Sequence, residues 1–155
     1  MKGKHLRALL KVIPKNNIRY FLNGLYVNFD YREIAATDGH ILVLLENLEE
    51  LNIDGTGEVI IPRNVIEAVT SVCDPNANVY ITNTEISIGD LTIKYKPIEG
   101  KYPDFRVVFP KKETTYEDSR FCWFQSEFVK IVEKIAKDYA IDFEFFPPEN
   151  EKTSP

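Results

Sequence analysis

The chain has 155 residues, 44% apolar and 28% charged, with a formal net charge of -5. That suits one domain of ordinary size, or one plus an appendage, with apolar mass enough for a core without staples. No window approaches the about 20 apolar residues of a membrane-crossing helix, and the basic N-terminus has no secretory leader pattern, so the expectation is a cytoplasmic protein with no membrane role. Cys73 and Cys122 are far apart and outside any C-x-x-C pattern, which favours free buried thiols over a disulfide.

Residues 1–20 carry Lys2, Lys4, Arg7, Lys11, Lys15 and Arg19 and no acid, whereas the other 135 residues hold 13 basic and 24 acidic groups. A basic end on an acidic body offers phosphates one attractive face; the plainer reading is a solvated helix face. Residues 4–13 read as a helix. Leu6, Leu9, Leu10 and Ile13 make its buried stripe, and Lys4, Arg7 and Lys11 lie together on the other side. Pro14 marks its end.

Strands follow. Ile18–Phe29 is rich in aromatic and β-branched residues and is interrupted by Asn23-Gly24, which reads either as a hairpin turn or as a bulge in one long strand; the flanking apolar residues favour the bulge. Glu33–Ala36 and Ile41–Leu45 flank the turn-forming Thr37-Asp38-Gly39-His40. Residues 46–57 read as an acidic surface loop with room for a short helical turn, and Glu58–Ile61 as a strand. A second helix at about 63–73 enters on Pro62 and buries Val65, Ile66, Val69 and Val72. Val79–Thr82, Glu85–Ile88 and Leu91–Lys96 form a meander with tight turns. Residues 97–110 are extended, 111–119 a charged linker, and Arg120–Phe124 a strand. Ser126 caps a third helix with Phe128, Val129, Val132, Ile135 and Ala136 on one face. Ile141–Phe146 is another strand, and the tail from Pro147 is disordered in composition. A helix followed by about three strands occurs twice.

Four stretches, in order, carry a family resemblance. Arg19-Tyr20-Phe21-Leu22-Asn23-Gly24 is similar to R-Y-x-L-N-G. Ala35-Ala36-Thr37-Asp38-Gly39-His40-Ile41-Leu42 is similar to V-A-T-D-G-H-R-L. Ile60-Ile61-Pro62-Arg63 with Val65-Ile66-Glu67 resembles V-P-R-K-x-[VI]-[IL]-E. Gly100–Pro110 is close to G-x-[FY]-P-D-[YF]-R-R-V-[IL]-P. Together they resemble the second domain of the beta subunit of bacterial DNA polymerase III, a sliding clamp, across residues 5 to about 112.

The resemblance implies an α+β DNA clamp domain over residues 1–112, with two helices packed on antiparallel sheets. A C-terminal strand-helix-strand over 113–146 and a disordered tail over 147–155 complete the expected organisation. It implies no catalytic residue, cofactor or metal. The expected role is a replication processivity module that binds duplex DNA without sequence preference through Lys4, Arg7, Lys11, Tyr20, Phe21 and Arg63. A hydrophobic pocket for polymerase-type clients would take Leu22, Thr37, Gly39, His40, Leu42, Pro103 and Val108. Two arginines of the family pattern are replaced, by Ile41 and Val107, which makes that area more apolar. The structural alternative for Thr37–His40 is an ordinary turn, with Gly39 at positive φ and Asp38 capping local amides. In a strand, Tyr20 and Phe21 point to opposite sides, so one of them belongs to the core.

A full clamp subunit has three such domains; against that pattern the expectation is that the first domain, and the strand that precedes the first helix, are absent. Self-association, or association with a clamp, would be needed to form a ring. The alternative reading is a clamp mimic that captures clients, clamp loader or clamp without encircling DNA, favoured by the acidic body. An enzyme is disfavoured: His5 and His40 are the only histidines. Asp38-x-His40 stands outside any ligand-spaced cluster, and no phosphate loop or nucleophile motif is present.

Overall fold

A computed structural model describes residues 1–46, 51–108 and 126–139. They fall in two compact units, Met1–Pro103 and the chain from Asp104 onward.

In the first unit α1 spans Gly3–Leu10, shorter than the pattern predicts. Its free N–H groups are met by the chain after the second helix: Gly3 and Lys4 donate to Ala77 O at 3.0 Å and Pro75 O at 2.7 Å. Beyond Leu10 the turn tightens, with Lys11 and Val12 donating three residues back to Ala8 O and Leu9 O. Pro14 disfavours helical backbone at the residue before it, so the pattern stops as helix there. Leu6, Leu9 and Ile13 are buried as expected.

The predicted strand from Ile18 does not begin there. Tyr20–Leu22 form a 3-10 turn, and β1 is Gly24–Asn28. Asn23-Gly24 is thus neither a hairpin turn nor a mid-strand bulge but the hinge into β1. The Asn23 side chain fixes it, with Nδ2 donating to Asn17 O at 3.0 Å and Oδ1 accepting from Asn17 N at 2.7 Å. A Cβ on Gly24 would lie 2.6 Å from Ile61 O, so the close approach of β1 to its neighbour requires glycine.

β2 (Glu33–Thr37), β3 (Leu42–Glu46) and β5 (Glu58–Pro62) complete an antiparallel sheet ordered β3-β2-β1-β5. The predicted loop 46–57 contains a further strand, β4 (Asn52–Ile53), which pairs parallel to residues 80–81. Two residues are too short for an alternation pattern, so only the tertiary pairing creates it. With β6 (Val79–Ile81), β7 (Glu85–Ile88) and β8 (Leu91–Lys94) it forms a second sheet ordered β4-β6-β7-β8. The repeated helix-strand unit therefore closes by exchange: β4 joins the second sheet, and β5 joins the first. The strand expected to be missing before α1 has a minimal counterpart. Lys2 bridges Asn78, and Val79 donates to Met1 O at 2.7 Å.

The second helix, α2 (Arg63–Val72), packs on α1, on β1 and β5, and reaches β8. Val65, Ile66 and Val69 are buried, but Val72 is 70% exposed, against expectation, and Cys73 fills the end of the stripe instead. The thiol of Cys73 is free. Every residue of β1 and β2 is buried. One face of β1 lies under the helices, and Tyr26 on the other carries Tyr102.

In the second unit a 3-10 turn covers Phe105–Val108 and α3 covers Ser126–Tyr139, with Ile135 and Ala136 buried. The predicted strands Arg120–Phe124 and Ile141–Phe146, the linker, the tail and Cys122 lie outside the described residues.

Candidate functional site

Lys4 and Arg7 sit on α1, half-buried, and Lys11, exposed, caps its end instead of lying on the longer helix that the pattern predicts. Arg7 is nonetheless engaged within the fold. Its Nη2 donates to Thr70 O at 3.2 Å and Cys73 O at 2.7 Å, the carbonyls that end α2. Arg63 does the converse: Nη1 donates to Leu10 O, the last carbonyl of α1, at 3.0 Å and to Ile13 O in the turn just beyond it, while Nε pairs with Glu67 at 2.8 Å. The sequence places both arginines on a DNA face; the structure sets their guanidiniums on helix ends, where carbonyl dipoles attract a cation. Lys15 and Arg19 extend the exposed cationic surface past α1.

Tyr20 is 57% exposed and Phe21 half-buried. In the 3-10 turn they do not alternate across a strand. Their rings meet edge to face with centroids 5.7 Å apart. Leu22, buried to 1% exposure, is the core member of this segment.

The Thr37–Ile41 turn has the predicted chemistry. Asp38 Oδ1 accepts from His40 N at 2.7 Å and Ile41 N at 2.8 Å, Thr37 Oγ1 accepts from Gly39 N at 3.0 Å, and Gly39 has φ +98°. A Cβ at Gly39 would collide with the Arg19 guanidinium. Asn17 Nδ2 reaches Asp38 O at 3.5 Å. Gly100 approaches Tyr20 and Phe21 closely. Segments 17–22, 37–42 and 100–102 therefore converge at one end of the first sheet. Of the expected pocket residues, Leu22 and Thr37 are buried, Leu42 pairs with Thr37 and is half-buried, and Gly39, His40 and Pro103 are exposed. Val108 ends the 3-10 turn of the second unit.

The sequence reading missed the neighbouring Tyr26 cluster. Tyr102 is 4% exposed and stacks on Tyr26 at 4.8 Å and 22°. The Tyr26 hydroxyl donates to Glu58 Oε2 at 2.8 Å and accepts from Asn28 Nδ2 at 3.0 Å. Burial above all, with the Glu58 carboxylate adding to it, pushes the Tyr26 phenol up to about 12, while the Asn28 bond acts the other way. Burial likewise raises Tyr102 and Tyr95. A cavity of about 60 Å³ lies beside this cluster, lined by Tyr26, Glu58, Ile60, Pro97, Gly100 and Tyr102 among others. None of the expected pocket residues lines it. The polar Asn28 inside an apolar strand was the available signal. Among the described residues no group of three or more His, Cys, Asp or Glu is placed to hold a metal ion, and no helix is long and apolar enough to cross a membrane.

Comparison with known proteins matches residues 6–104 to the model for the DNA polymerase III beta subunit, central domain. The beta sliding clamp of Pseudomonas putida is 30% identical over 122 residues, covering 72% of this chain and 33% of that protein. A crystal structure of the DNA polymerase sliding clamp from Pseudomonas aeruginosa with ligand is similar at 28% identity and TM-score 0.50, over 72% of this chain and 34% of that one. The Helicobacter pylori beta clamp bound to a DNA ligase peptide shares the fold at TM-score 0.53 and 21% identity, over 71% of this chain and 33% of its own. The chain thus spans about a third of the length of the relatives it matches.

Proposed function

The chain belongs to the family of DNA polymerase III beta subunit central domains, and from that membership we propose that it serves as a sliding-clamp-like module of DNA replication, binding duplex DNA without sequence preference and performing no bond chemistry. The observation that carries this beyond the family is the segregation of charge: six cations and no acid in residues 1–20 on an otherwise acidic chain. Lys4 on α1 and Lys11 at its end contact phosphates, and Tyr20 and Phe21 would add aromatic contacts. Such contacts release counterions and give salt-dependent, sequence-independent affinity. One domain of this size does not surround a duplex by itself, so encirclement takes further clamp domains, whether in the same polypeptide, in further copies or in a partner clamp. The convergence of segments 17–22, 37–42 and 100–102 supports a client site there, where Leu42, His40 and Pro103 meet peptides with aliphatic or aromatic anchors. The DNA ligase peptide on the Helicobacter pylori clamp is the type of ligand this site would take.

The test is duplex binding by fluorescence anisotropy across a salt series, with native mass measured with and without DNA. Replacing Lys4 and Lys11 by alanine is expected to flatten the salt slope by about 1.8, at ~0.9 per phosphate contact. Unchanged binding by that variant at low salt would reduce the basic face to a solvated one. A protein that stays monomeric and binds clamp or clients but no duplex would establish the clamp-mimic reading, which the acidic remainder of the chain favours.

A further inference from the structure

We propose that Arg7 and Arg63 form a reciprocal clasp between α1 and α2, each capping the C-terminal end of the other helix, and that they are positioning residues for the DNA face and not phosphate contacts. This rests on the proposed DNA-binding role only for its functional consequence; the clasp itself stands on geometry. The start of α1 is bonded to residues 75–77, just past the end of α2, and the end of α1 to Arg63 at the start of α2. The two helices therefore run antiparallel, and each terminal set of carbonyls faces the neighbour's side chains. An α-helix leaves its last carbonyls without intrahelical partners. Two charged donors supply partners here: Arg7 for Thr70 O and Cys73 O, and Arg63 for Leu10 O and for Ile13 O in the turn that follows α1.

The choice of arginine follows from the task. In each arginine one terminal nitrogen donates to both carbonyls, and the planar, preorganised guanidinium loses less freedom in doing so than a lysine ammonium on a flexible stem; in Arg63 it also leaves Nε for Glu67. Neither α1 nor α2 has a conventional C-terminal glycine: α1 runs through Lys11 toward Pro14 and α2 into Cys73 in extended backbone. The clasp replaces that device. It ties the ends of both helices together and holds the backbone that carries Lys4 and Lys11 in one orientation. The arginines, whose charges are met by carbonyl dipoles and, for Arg63, by Glu67, contribute little to the outward field.

Hydrogen exchange resolved by residue on the full-length chain tests the crossed geometry. With Arg63→Ala, the amides of Lys11–Ile13 in the turn that ends the opposite helix are expected to exchange about tenfold faster or more, since bonds to a charged donor are lost, while the middle of α2 changes by less than about twofold. With Arg7→Ala the faster amides are those at the end of α2, and the body of α1 is unchanged. Arg7→Lys and Arg63→Lys give intermediate rates and carry the test if an alanine variant fails to fold. Fraying confined to the mutated residue's own helix would overturn the proposal. So would a fall of about 0.9 in the salt slope of duplex binding for Arg7→Gln or Arg63→Gln, the same fall as in a Lys4→Ala control, because loss of one phosphate contact lowers the slope by about that amount. If the wild-type chain binds no duplex at any salt, the DNA-binding role fails on its own, and the exchange pattern decides the clasp alone.

Discussion

Removing the Tyr102 side chain isolates the contribution of the segment after β8 to the first sheet. Tyr102 is 4% exposed and its ring lies 4.8 Å from that of Tyr26, while Ile98 nearby donates to Ile60 O at 2.9 Å along the outer edge of β5. Tyr102→Ala deletes a buried aromatic ring, a change that costs about 3–5 kcal/mol in cores, of which ~0.5–1.5 kcal/mol is the aromatic pair itself. Tyr102→Phe keeps ring and stack and is expected to cost under about 1.5 kcal/mol, the usual worth of one hydroxyl bond. Urea denaturation gives both values, and an unchanged m-value with a lowered midpoint would show that only stability has moved. A second readout is local. Loss of the covering ring lets water reach Tyr26, so its phenol should titrate below about 12, visible in tyrosinate absorbance. If Tyr102→Ala costs no more than Tyr102→Phe, and Tyr26 titrates unchanged, the segment is a surface strap and not part of the core.

Alkaline pH supplies another test. Tyr26, Tyr95 and Tyr102 all have raised pKa values in the fold. The unfolded chain therefore loses these protons first, and stability is full below about pH 10 and falls as pH rises through the folded values, by up to ~1.4 kcal/mol per pH unit for each tyrosine. Flat stability from pH 9 to 12 would contradict the burial of all three. Asp38→Ala removes the acceptor for the His40 and Ile41 amides and should destabilise by about 1–2 kcal/mol with faster exchange at those two amides; unchanged exchange would mean that Thr37 and Gly39 hold the turn without it. Leu42→Asp is expected to weaken clamp-binding peptides by tenfold or more in a titration, with the melting temperature lowered only a few degrees, and equal peptide affinity would remove the site from that end of the sheet.

The four ordered motifs made the family legible in the sequence, because each occupies a place where local chemistry is demanding. Gly39 must take positive φ, Asp38 must cap two amides, Pro62 must open α2, and Tyr102 must meet Tyr26. Helices and the β6–β8 meander were legible too, since their apolar residues repeat at 3.6 or 2. Periodicity is a local quantity, and it failed where partners lie far along the chain. It could not show that β4, two residues long, belongs to the second sheet, nor that Tyr20–Leu22 turn before β1 begins, because Asn23 reaches back to Asn17. The same limit governs charge. Counting cations located a basic end, but a guanidinium's role depends on what it touches. Only the antiparallel docking of α1 on α2 sets Arg7 and Arg63 on each other's helix ends, because those carbonyls are 50 to 66 residues away in sequence and arrive there through packing alone.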